Sequence, residues 1–258
     1  MTATDPPADR KQALTATGDE LTTLIHHPST DVLLALLDNP ALDETRLCLL
    51  LDRKDLPTEV LEEIGSRKNL LKNYRVKRAL AFHPHTPRLN SVRLIKDLYL
   101  MDLAQLTLSV GVLPELKRIA EEQLLARLAQ LPLGQKITLA RRGPGRVAGA
   151  LLAEGHPQIL SVVLDNAYLT EAQVLKALAR ENLSPAVGHA IAQHRRWSCV
   201  YNVRLALIRT PGTTLATILA YLPELNASDL RDLSAPGIVP EALRKYLQSE
   251  LDRRSGAE

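Results

Sequence analysis

Leu37-Asp38-Asn39-Pro40-Ala41-Leu42-Asp43-Glu44 returns 127 residues later as Leu164-Asp165-Asn166-Ala167-Tyr168-Leu169-Thr170-Glu171. Working outward, residues 37–106 lie over residues 164–233 without a gap. Arg53, Leu56, Val60, Ile64, Tyr74, Val76, Leu80, Pro84, Thr86, Asp102 and Leu106 are among the residues repeated at that offset. Most of the matches are apolar residues at helical spacing or turn residues. That pattern marks repeated architecture and not a repeated active site.

Apolar residues recur with a period of 3.6 in short bursts separated by Pro, Gly or Asn-Pro turns. The spacing predicts helices over residues 31–37, 44–51, 58–64, 76–82, 89–98, 103–110 and 114–131, and the same order again from Gly145 to Leu251. Segments this short fall below the ~12–15 residues an isolated helix needs. Stacking on neighbours must hold them, as in a solenoid. The expected fold is therefore all-α: a right-handed α-solenoid of short helix pairs, with two tandem halves of about 127 residues forming one array. The expected organisation is a polar, loosely packed lead-in at 1–18, helical-repeat halves at 19–131 and 132–252, and a tail at 253–258.

Val76-Lys77-Arg78-Ala79-Leu80-Ala81-Phe82-His83-Pro84-His85-Thr86-Pro87 carries a further signal. Proline disfavours helix at the residue before it, and a threonine three residues after His83 is placed to cap the next helix. This unit resembles those of bacterial HEAT-like and leucine-rich-repeat-variant proteins, and residues 203–215 resemble them more loosely. The resemblance implies an α-solenoid that binds other macromolecules, with no reaction attached. The cysteine cluster that holds an iron–sulfur centre in one such protein is missing here.

Composition narrows the function classes. Among 258 residues there is one Phe, one Trp and six Tyr, so the core is aliphatic and helix-borne. Residues 1–20 lack the apolar stretch of a signal peptide, and no apolar run is long enough to span a bilayer. Cys48 and Cys199 are not equivalent under the offset and have no spacing partners, which fits a reducing cytoplasm. His26, His27, His83, His85 and His156 sit at proline turns, where a ring nitrogen can serve a helix end. His189 and His194 are five apart, not the four that would place two metal ligands on one helix face. No phosphate-binding glycine loop is present. A non-enzymatic protein without metal, cofactor or catalytic residues is expected.

Charge is more informative. The net charge is only +3, yet segments 64–96 and 191–223 contain no acid at all. They supply the candidate binding residues Arg67, Lys68, Lys72, Arg75, Lys77 and Arg78, and Arg195, Arg196, Arg204 and Arg209. Tyr74, Trp197 and Tyr201 lie within or beside them. The expected function is a cytoplasmic scaffold for a protein partner. The alternative is binding of a nucleic-acid backbone through these two segments. The opposing possibility is that the cations are solvated helix faces offset by acids on adjacent repeats.

Overall fold

The computed structural model describes residues 6–210 and 212–255. Among these residues the chain is helical and carries no strand. It divides between Ala126 and Arg127 into two compact units. The first contains α1 (Pro6–Thr15), α2 (Gly18–Leu24), α3 (Thr30–Leu36), α4 (Glu44–Asp52), α5 (Thr58–Ser66), α6 (Tyr74–Phe82), α7 (Arg88–Asp97), α8 (Leu100–Leu108) and α9 (Pro114–Arg127), with a 3-10 turn at Leu70–Lys72. The second contains α10 (Leu133–Arg142), α11 (Gly145–Glu154), α12 (Pro157–Val163), α13 (Glu171–Leu178), α14 (Pro185–Gln193), α15 (Tyr201–Arg209), α16 (Leu215–Tyr221), α17 (Ala227–Ser234) and α18 (Glu241–Ser255). Each helix from α10 to α18 begins 127 residues after its counterpart in α1 to α9. No described helix is long and apolar enough to cross a membrane.

Packing follows the same schedule in both units. α3 packs on α1 and α5, and α6 packs on α4; α12 packs on α10 and α14, and α13 packs on α11 and α15. In both units helices thus pack on second neighbours in sequence as well as on the helix beside them, as α6 does on α7 and α10 on α11. Val32, Leu33 and Leu36 of α3 are fully buried, as are Ile159 and Val163 of α12. Burying a side chain of that size stabilises the fold by ~1.5–3 kcal/mol. That is how helices of seven residues persist.

The turns show how neighbouring helices are joined. Asn39 donates from Nδ2 to the carbonyls of Ala13 and Ala16 at 2.8 and 2.9 Å, while its Oδ1 accepts from the Ala41 amide. Asn166 repeats all three bonds on Ala140, Gly143 and Tyr168. Both asparagines are buried, so each closes the orphan carbonyls at a helix end that no water reaches. Thr86 was expected to cap α7. Its hydroxyl turns back instead to the Leu80 carbonyl at 2.6 Å and closes α6, and Thr213 does the same for Leu207 in α15. The N-cap place of the following helix falls to the next residue in both cases, Pro87 at α7 and Thr214 at α16.

Residues 1–18 are not a loose lead-in where they are described. α1 occupies residues 6–15, and Ala13 and Ala16 are buried against the first unit. Its sequence is polar, and the bonds from Asn39 fix it in place. α10, at the matching place in the second unit, lies in a stretch for which no helix was expected. Its apolar residues are sparse, and Asn166 holds it in the same way. Residues 253–255 belong to α18 and not to a tail. Arg254 donates to the carbonyls of Leu222 and Leu225 at 2.9 and 2.6 Å, tying the helix end down. Residues 1–5 and 256–258 of the expected lead-in and tail lie outside the described residues.

Candidate functional site

Four of the candidate cations, Arg67, Arg78, Arg196 and Arg204, hold the fold together. Arg67 donates to the Leu37 carbonyl at 2.8 Å and pairs with Glu63 and Asp38, both at 2.7 Å. Arg78 pairs with Asp102 at 2.7 Å, bonds Gln105, and lies over the Phe82 ring at 4.9 Å. Arg196 donates to the Leu169 carbonyl at 3.2 Å and stacks on buried Trp197. Arg204 donates to the Ser198 carbonyl at 2.5 Å, pairs with Glu224 and lies over Tyr221. The segments are acid-free in sequence but not in space. Their acids come from outside the segments: Asp38 and Glu63 for Arg67, Asp102 for Arg78 and Glu224 for Arg204.

The remaining candidates separate into two groups. Arg75 is largely exposed and reaches only Glu44, at 3.8 Å. Arg195 is exposed in the second unit, while Arg209 lines an apolar cavity of about 640 Å³ there, with Leu215, Ile218, Ile238 and Leu243. Lys68, Lys72 and Lys77 do converge. Together with Arg93 and Lys96 of α7 they line a cavity of about 480 Å³ in the first unit, between the end of α5, the 3-10 turn, α6 and α7. That size falls within the ~300–1,000 Å³ of small-ligand pockets. The two segments therefore do not form matching patches.

Each wall of this cleft has a local cause. Lys68 and Lys72 are four residues apart around the 3-10 turn, and Arg93 and Lys96 are three apart on one face of α7. Lys77 donates to Asp97 at 3.2 Å, the only acid among the lining residues. Leu71 and buried Leu94 supply apolar lining. Gly65 sets the depth: a Cβ there would stand 2.3 Å from Asn90 Nδ2, so glycine lets Asn90 lie against the α5 backbone. Five cations facing one acid attract anions, an effect that solvent ions screen over ~8–10 Å. The (i, i+3) pair Arg93 and Lys96 was readable in the sequence. Gly65, Asn90 and Leu94 were not, because only packing brings them to the cleft.

Several histidines take up structural work at the turns. The His83 Nδ1 accepts from the His85 amide at 3.2 Å and its Nε2 faces the Arg53 carbonyl at 2.6 Å, which fixes a neutral ring with the proton on Nε2. Burial pushes its pKa below the ordinary value of 6.5. His27 and His156 accept from the amides of Ser29 and Gln158 in the same manner. Among the described residues no group of three or more His, Cys, Asp and Glu is arranged to hold a metal.

No protein-family model, no curated protein and no solved structure matches the chain.

Proposed function

We propose that the protein is a non-enzymatic helical-repeat scaffold that binds a protein partner through the basic cleft of its first unit. In this reading each unit is a short α-solenoid, and the two arose by internal duplication. The second-neighbour packing and the helix starts 127 residues apart support both statements. The HEAT-like and leucine-rich-repeat-variant proteins that residues 76–87 resemble supply the analogy. The observation that carries the functional reading is the cleft itself. Lys68, Lys72 and Arg93 are exposed there around an open cavity, whereas Arg67, Arg78, Arg196 and Arg204 have structural partners.

The same concentration of cations favours a second reading, binding of a nucleic-acid backbone. Affinity capture on the immobilised full chain after nuclease treatment separates the two. A defined protein retained in near-stoichiometric amount is the expected result. Capture that disappears with nuclease, together with duplex binding that weakens steeply with salt, would instead establish the second reading.

A further inference from the structure

Beyond the mere presence of a partner, the cleft specifies its chemistry. We infer that it takes a short acidic peptide segment of the partner, with one apolar side chain seated on Leu71 and Leu94. The inference rests on the scaffold reading above and names what that reading leaves open.

Four features select this occupant. The cations are mostly lysines, whose compact, flexible ammonium groups meet carboxylates in many orientations. Arg93 is the single guanidinium, so the cleft draws an anionic chain by charge more than by the fixed bidentate geometry that an arginine fork offers to carboxylate and phosphate alike. No aromatic residue lines the cavity, so unpaired bases would find no ring to stack on. The apolar lining has no use for a phosphate backbone, but it matches a leucine-sized side chain flanked by carboxylates.

The fourth feature is the limit of the basic surface. Asn90 forms a wall shared with an adjoining cavity of about 730 Å³, which Glu59, Glu62 and Glu63 line with one cation, Arg88, that is itself paired with Glu115. A duplex carries one charge per about 1.7 Å of axis and needs a continuous track of cations. Here such a track would run onto carboxylates after a single cleft. A peptide of a few acidic residues ends before it reaches them.

The test is fluorescence anisotropy on the full chain with a labelled peptide of Asp and Glu residues around one Leu. A single-stranded DNA of equal charge and the same peptide with Ser for Leu serve as comparisons. The acidic peptide should bind, more tightly than the DNA, and lose affinity as salt rises. Lys68→Glu with Lys72→Glu should weaken it at least ~10-fold, which corresponds to about 1.4 kcal/mol. Ser for Leu should weaken it several-fold, and Arg195→Glu, at the matching position of the second unit, should leave it unchanged. Both lysines are exposed, so far-UV circular dichroism of the double variant should match the parent chain. DNA binding as tight as the peptide's, or peptide binding indifferent to Lys68 and Lys72, would overturn the inference. Repeating the nuclease-treated capture with the double variant isolates the two failures. A protein still retained places the partner on another face and sinks only the cleft, whereas no protein retained by either chain sinks the scaffold reading.

Discussion

Where the first unit has Gly65 and Leu94 the second has Ala192 and Tyr221, and this pair of changes remakes the groove. The Tyr221 hydroxyl crosses to the Ala192 carbonyl at 3.2 Å, and the Arg204 guanidinium lies 5.5 Å from the ring centre. Cys199, Ala220 and Pro223 stand where the first unit has Lys72, Arg93 and Lys96. Lys77 and Arg204 occupy equivalent positions and meet equivalent acids, Asp97 and Glu224, yet only Lys77 borders the basic cleft. Several internal ties, in contrast, are held in common. Asn39 matches Asn166, Thr86 matches Thr213, and the Tyr74 hydroxyl donates to Asp102 as that of Tyr201 does to Asp229. The two units therefore share several of the bonds that position helices and differ in the side chains around the groove. The basic groove belongs to the first unit, and three of its five cations have no basic residue at the equivalent positions of the second.

The comparison breaks most visibly at one carbonyl. Leu37 is held by the Arg67 guanidinium, while its counterpart Leu164 is held by the buried indole of Trp197 at 2.9 Å. Trp197→Ala should cost ~3–5 kcal/mol, because a large cavity and an orphan carbonyl appear together. Arg67→Ala should cost only ~1–2 kcal/mol and lose part of that effect at high salt. Urea denaturation of both variants at two ionic strengths measures the contrast, and equal losses would mean the indole contributes no packing.

The asparagines should behave as a matched pair. Asn39→Ala and Asn166→Ala each leave two buried carbonyls without a donor, so each should cost ~2–3 kcal/mol. Hydrogen exchange should locate the lost protection around α1 in the first case and α10 in the second. A clear inequality between the two would show that the shared bonds do not carry shared energies.

Smaller effects are expected at the tyrosines. Tyr74→Phe and Tyr201→Phe each remove a bond to an aspartate and an acceptor for a backbone amide, a loss of ~1 kcal/mol apiece in thermal unfolding. Burial, followed by the bond to Asp102, pushes the Tyr74 pKa up to about 12. Its contribution is therefore complete below pH ~10 and is lost as pH rises through the folded value, since the unfolded phenol ionises first. Tyr74→Phe should flatten that alkaline limb.

The smallest effect separates the units by pH. His83 of the first unit corresponds to Thr210 of the second, which does not titrate. Burial, then the positive charge of Lys54 and His85, holds the His83 pKa down against the Arg53 carbonyl and Asp55, which raise it. The unfolded chain thus binds the proton first as pH falls below ~6.5, and stability declines from there to the folded value. His83→Thr should remove that part of the pH dependence of the unfolding midpoint. An unchanged pH profile would assign the acid sensitivity elsewhere.

Much of the helical schedule could be read directly because each helix carries its own period. Val76, Leu80 and Ala81 mark the buried side of α6, and Pro84 marks its end. α1 and α10 escaped that reading because the donors that fix them, Asn39 and Asn166, lie more than twenty residues away in sequence. The cleft was only half legible. Lys68, Lys72 and Lys77 stood out as cations, but so did Arg67 and Arg78, and nothing local distinguishes a guanidinium bound to a distant carboxylate from one facing solvent.

By itself the sequence determined the all-helical character, the short helix lengths and the 127-residue recurrence, since period, propensity and proline act over a few residues at a time. Only the tertiary structure decided which cations face an open cavity and which serve as internal ties. That outcome depends on bonds between residues some twenty to thirty apart, and on a glycine and a leucine whose role is to leave space.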